Sequence, residues 1–237
     1  MARTVDEQKY AEKRQEIVNA AQRLVFAKGY EQMTIQDILK ELKISSGAFY
    51  HYFDSKSAIL DAFIEQIRDE TEKPILPIIR DPDLSAVEKL QGFFDTLDRL
   101  RTENQADVVR LAYIWYTDEN AIVRQKVDEA VTQQRAPLVA EIVEQGVAEG
   151  VFQTDYPDIC GEVILSLIQG MGNAHARLLF FGERGQSERE TVDAIIAVYD
   201  AYMDAIERVL AAPANSLRRT DTEAVQAWVS AASKGSL

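Results

Sequence analysis

The sequence predicts an all-α protein with a small three-helix head followed by a larger helical body. Three observations predict this fold. Apolar residues recur at helical spacing along most of the 237-residue chain. No segment sustains the period-two alternation of a strand. Residues such as Gly29, Pro74, Pro77, Gly150 and Pro213 punctuate the periodic stretches.

In chain order, Ile17, Ala20, Ala21, Leu24 and Ala27 mark a first helix, with Gly29 where a C-cap glycine belongs. Three helices follow at about 34–42, 45–53 and 55–72. Pro74 and Pro77 then break the chain. Asp81-Pro82-Asp83 opens a helix whose apolar positions are Leu84, Val87, Leu90, Phe94, Leu97 and Leu100. Further helices are expected over 105–118, 120–149, 157–181 and 187–211, punctuated by Gly150 and by Gly182 and Gly185. The tail after Pro213 is rich in Ala and Ser, and an amphipathic turn around Val225, Trp228 and Val229 is a candidate for docking. The expected organisation is a head over 1–57, a body over 58–213 and a tail over 214–237.

Composition excludes several classes. Hydrophobic residues are 46% of the chain, enough to bury a core. One cysteine cannot form an internal disulfide. Met1 to Tyr10 lacks the apolar core of a signal peptide, and no apolar run approaches the ~18 residues of a membrane helix. A cytoplasmic protein with no membrane contact is expected. The net charge of −13 is uneven: residues 1–57 carry nine Lys/Arg against eight Asp/Glu, a net +1, so the remainder carries −14. An acidic body behind a near-neutral head suits a protein that offers only one end to a polyanion.

The segment Thr34-Ile-Gln-Asp-Ile-Leu-Lys-Glu-Leu42 carries the functional signal. Thr34 is a cap, and Asp37 can reach back to it. Ile35, Ile38, Leu39 and Leu42 give the helix one buried face. Lys43 and Ile44 alone separate this helix from Ser45, the next cap. Ile44 and Phe49 flank that cap as a hydrophobic staple does. Two short capped helices joined so tightly form a helix-turn-helix.

On a 100° wheel the second helix turns Ser45, Phe49, Tyr52 and Phe53 inward. Gly47, Ala48, Tyr50 and His51 face outward. Small residues let the backbone approach base edges closely, while Tyr and His tips reach phosphate oxygens. Lys56 adds a phosphate-seeking charge at the start of the next helix, whose free N–H groups behind Ser55 favour an anion. The implied partner is double-stranded DNA.

From Gly29-Tyr30 through Thr34-Ile-Gln-Asp-Ile and Ile44-Ser-Ser-Gly-Ala-Phe-Tyr-His-Tyr-Phe-Asp-Ser-Lys56 to Ile59-Leu60, the sequence resembles the N-terminal domain of tetracycline-repressor (TetR) family regulators. The resemblance implies that Thr34, Tyr50, Tyr52 and Lys56 contact phosphates, and that Ser45, Ser46, Gly47 and Ala48 enter the major groove. Two positions depart from the family pattern. Lys43 stands where glycine is usual in the turn, and would pay about 1 kcal/mol if φ must be positive. Ser46 replaces a commonly basic residue.

For the body the resemblance implies a ligand-binding and dimerisation domain. The helices at about 157–181 and 187–211 would pair with their mates in a homodimer, placing two reading helices one DNA turn apart, ~34–36 Å, on a palindromic operator. The candidate effector pocket is aromatic, with Phe94, Tyr113, Trp115 and Tyr116 beside Phe93, Phe180 and Phe181. Gln169, Asn173, His175 and Arg177 would supply its polar handles. These suggest an unidentified small hydrophobic or aromatic effector. Its binding would shift the 55–72 helix and release the operator.

An enzyme is not expected. Cys160 and His175 lie fifteen residues apart on one helix, ~22 Å along its axis, too far for a dyad. No metal-ligand spacing and no cofactor motif is present. A helical protein-interaction adaptor remains the alternative. A salt-resistant, sequence-specific component of DNA binding would exclude it.

Overall fold

The computed structural model describes residues 2–102, 105–182 and 186–234, and every regular element among them is helical. The order is α1 (Ala2–Lys28), α2 (Ile35–Leu42), α3 (Ser46–Tyr50), α4 (Lys56–Glu72), α5 (Leu76–Ile79) and α6 (Ala86–Thr102). Then come α7 (Gln105–Trp115), a 3₁₀ turn (Asp118–Asn120), α8 (Ala121–Ala148), α9 (Pro157–Phe180), α10 (Glu188–Val209) and α11 (Thr222–Lys234). Gly185 lies outside the described residues, as does the side chain of Leu100. The chain forms two compact units. One is Met1–Glu70 with Ile114–Val127, and the other is Thr71–Tyr113 with Asp128–Leu237.

In the first unit, Ile17, Val18, Ala21 and Val25 form the buried stripe of α1. Ile38, Phe49, Ile59 and Phe63 bring α2, α3 and α4 into the same core. The five residues of α3 are far too few for a helix to persist alone. Full burial of Phe49 supplies what propensity cannot, about 1.5–3 kcal/mol. The helix ends at Tyr50 rather than 53, and the chain exits through a turn at His51 and Tyr52.

Gly29 ends α1 at φ +81°, and an added Cβ would lie 2.6 Å from that of Glu119. Positive φ and close approach together select glycine there. The segment 114–127 packs at this corner. Asn120, 1% exposed, accepts from the Tyr30 N–H (3.2 Å) and donates to the Ile114 carbonyl (3.1 Å). The Arg124 guanidinium donates to the Trp115 carbonyl (2.6 Å) and covers the Tyr116 ring (5.3 Å).

In the second unit, Leu90, Phe93, Val139, Ile142, Ile164, Met203 and Ile206 belong to one buried cluster drawn from α6, α8, α9 and α10. At Gly161 an added Cβ would meet the Ala136 carbonyl oxygen at 2.0 Å, so α8 and α9 cross backbone against backbone. The proline pair does not simply break the chain. Pro77 sits in the first turn of α5, where its missing N–H costs nothing, and α5 buries Ile79. The tail is likewise more ordered than a single turn. Val225 and Val229 of α11 join Val192 and Ile195 of α10 in a second apolar cluster.

A strap precedes α11. The Glu207 carboxylate, on a residue 2% exposed, accepts from the N–H groups of Asn215 (3.1 Å) and Leu217 (3.0 Å) and pairs with Arg219 (3.0 Å). Arg218 donates its N–H to Gln91 Oε1 (2.7 Å) and its guanidinium to Asp95, so the strap is also tied to α6.

Candidate nucleic-acid interface

The two short helices are capped as their sequence requires. The Asp37 N–H donates to Thr34 Oγ1 (3.2 Å), while the Thr34 N–H and hydroxyl donate to Asp37 Oδ2 (2.8 and 2.6 Å). Lys28 and then Thr34 hold the Asp37 carboxyl well below the usual carboxylate range. A lowered carboxyl stabilises above its ordinary pKa, so this cap persists at neutral pH and weakens only as pH falls. At α3 the Ala48 N–H donates to Ser45 Oγ (3.2 Å).

Lys43 occupies the turn at φ 53°, ψ 41°, the left-handed region, and its N–H closes onto the Leu39 carbonyl. The strain anticipated at this position is therefore real. Lys43→Gly should raise stability by about 0.5–1 kcal/mol, the relieved strain less the entropy of a freer unfolded chain. Urea unfolding of the two proteins measures it, and equal midpoints would refute the strain.

Ser45, Ser46, Gly47, Ala48, Tyr50 and His51 are all exposed, Tyr50 by 51%. Thr34 is exposed and Tyr52 half-buried. The wheel turned Ser45 inward, but its backbone is extended (φ −77°, ψ 157°), so helical angles do not apply to it and it faces out. No atom lies within 4 Å of a Cβ added at Gly47. Lys56 is more engaged than a free cation. It is half-buried, with Nζ 4.2 Å from the Tyr30 ring centroid and donating to the Glu31 carbonyl (3.3 Å). Burial, then Glu31 and Asp61, raise the Tyr30 pKa.

Two residues of α1 carry no signal of a role here in the sequence. Tyr10 lies against His51 and Tyr52, with ring centroids at 5.6 and 4.8 Å. Arg14 covers the Phe53 ring at 4.9 Å. Both precede the motif in sequence, so only their i, i+4 relation to the buried stripe could have pointed to them.

The candidate effector residues separate into groups. Phe94 is 4% exposed within the body core, as an aromatic at helical spacing commonly is. Tyr113 lies among Phe180 and Phe181, with centroids at 5.8 and 6.0 Å. Trp115 and Tyr116 belong to the first unit, where Trp115 faces Phe26 at 6.4 Å. Gln169 is committed to Thr132 Oγ1 (2.7 Å) and the Asp128 carbonyl (3.2 Å). His175 stacks parallel to Tyr199 at 6.5 Å. Asn173 and Arg177 are exposed. A separate cleft of about 480 Å³ between α8 and α9 is lined by Ala136, Pro137 and Ala140 and rimmed by Glu141, Glu144, Asp158 and Glu162.

Cys160 is buried, 3.3 Å from Thr154 Oγ1. Among the described residues no helix is long and apolar enough to cross a membrane. None of their His, Cys, Asp and Glu side chains form a group of three able to hold a metal ion.

Comparison with known proteins decides the family. The model for bacterial regulatory proteins of the tetR family matches residues 17–63, and the tetracyclin repressor-like C-terminal domain matches 110–174. The chain belongs to the TetR family of transcriptional regulators. This TetR regulator is therefore not an enzyme. It is 45% identical over 67 residues to the uncharacterized HTH-type transcriptional regulator YuxN of Bacillus subtilis, covering 28% of this chain but only 23% of that protein. It is 24% identical over 202 residues to the HTH-type transcriptional repressor DhaR of Mycobacterium sp. strain GP1, covering 83% and 95%. A TetR-family regulator structure from Pectobacterium atrosepticum shares the fold, with TM-score 0.60 and 16% identity over 87% of this chain and 98% of that one.

Proposed function

We propose that this TetR regulator is a homodimeric, ligand-responsive repressor that reads a palindromic operator through α3. The observation that carries the reading is the bare outer face of that helix. Ser45, Ser46, Gly47 and Ala48 expose backbone and small side chains to base edges, while Thr34, Tyr50, His51, Tyr52 and Lys56 surround them for phosphate contact. Lys56 would exchange its Glu31 carbonyl for a phosphate oxygen. Repression is supported by the name of DhaR, which matches along most of its length.

Dimerisation through α9 and α10 is favoured by apolar side chains left in water. Ile159 and Val163 of α9 are 51% and 38% exposed, and Ala197 and Ala201 of α10 are exposed beside larger buried neighbours. The effector would be small and hydrophobic or aromatic, suited to a body that gathers Tyr113, Phe180 and Phe181. It would act by preferring one arrangement of α4, the helix that leaves the head.

In vitro selection of duplexes from a random library tests the reading. The expected result is enrichment of an inverted repeat whose half-sites lie about one turn of DNA apart. No enrichment, or enrichment of an asymmetric sequence, would overturn it.

A further inference from the structure

Tyr10 stands seven residues ahead of the stretch that matches the family. It continues the stripe of α1. Ile17, Val18, Ala21 and Val25 are buried, and the same face extended backwards carries Arg14 and then Tyr10. Beyond the core this face meets the exit of α3. Arg14 covers Phe53, and one turn earlier Tyr10 closes a three-ring cluster with His51 and Tyr52. His51 and Tyr52 themselves lie edge to face at 5.0 Å. The Tyr10 hydroxyl is directed at the His51 carbonyl, 3.5 Å away.

This cluster does little to build the core, since Tyr10 remains 40% exposed. Its ring instead packs against two rings just past the end of α3 at Tyr50, whose backbone N–H groups close onto the Phe49 carbonyl but leave the rings at the surface. We infer that Tyr10 is a positioning residue of the DNA-reading surface, with its ring holding His51 and Tyr52 in the orientation that meets the phosphate backbone. The inference rests on the reading of α3 as the operator-facing helix. It makes the first turns of α1, outside the recognised motif, part of the reader. The ring is what acts. The long hydroxyl contact is a minor addition, weaker than the two aromatic contacts.

The test compares full-length wild type, Tyr10→Phe and Tyr10→Ala on the duplex enriched by selection, across a potassium chloride series. A hydrogen bond from an uncharged side chain to phosphate releases no counterion, so Lys and Arg contacts set the slope of log affinity against log salt. Tyr10→Ala should bind about tenfold more weakly across the series, with the wild-type slope. Tyr10→Phe keeps the rings together and should match wild-type slope, with affinity within about twofold. Thermal melting of each variant checks that the exposed substitution leaves the fold intact. Affinity of Tyr10→Ala within about twofold of wild type overturns the inference, as does an undiminished tenfold loss when Tyr10→Ala is added to a variant already carrying His51→Ala and Tyr52→Ala, because a positioning ring must act through those two. Equal losses for Phe and Ala overturn it too, by shifting the role to the hydroxyl. If wild type itself prefers no duplex, the operator-binding reading fails, and this inference fails with it.

Discussion

Gly47→Leu is expected to leave the melting temperature unchanged or slightly higher and to reduce operator affinity to the non-specific level, about 10³-fold or more. The two halves of this expectation have separate causes. An added Cβ at Gly47 meets nothing within 4 Å, and the backbone there is not in the left-handed region. Replacing glycine inside a helix removes unfolded-state entropy, worth roughly 0.5–1 kcal/mol. On the DNA side a branched side chain would fill the space through which α3 approaches base edges. Gly47→Ala, one methyl group, should cost about tenfold and keep part of the specificity. Fluorescence anisotropy on the selected duplex measures affinity, and thermal unfolding supplies the control. Undiminished binding by Gly47→Leu would show that another surface meets the DNA.

Glu207→Ala should destabilise the second unit by about 3–5 kcal/mol, the usual cost of removing one partner from a buried charged network. Its carboxylate serves two backbone N–H groups and Arg219, so truncation leaves three donors without their acceptor. For a unit of this size the midpoint should fall by roughly 10 °C. Glu207→Gln retains one carbonyl acceptor and should lose less than half as much. Limited proteolysis would show cleavage appearing within residues 212–219 of the alanine variant before the rest of the unit opens. A melting point within about 2 °C of wild type would mean that Leu217, 1% exposed, holds the strap by apolar burial alone.

Local rules made the helix-turn-helix legible. A cap, a partner three residues on and an i, i+3, i+4, i+7 stripe all lie within nine residues, and the Thr34–Asp37 box forms as the sequence requires. The same rules failed where a residue leaves the helix. A helical wheel turns Ser45 inward because it does not describe an extended cap. Spacing extends α3 to 53, three residues past its end at Tyr50, because Phe53 is buried without being helical. In the body, aromatic spacing could not separate core from cavity wall. Phe94 packs inward, and Trp115 belongs with the head.

By itself the sequence determined the all-helical class, the caps and turn of the reading motif, and the small residues on its outer face, since each follows from neighbours a few positions apart. Only the tertiary structure decided which distant groups meet within each unit. Tyr10 reaches His51 across 41 residues, Asn120 serves Tyr30 across 90, and Arg218 donates to Gln91 across 127. Such pairings depend on how whole helices pack, and helical periodicity carries no record of which face meets which.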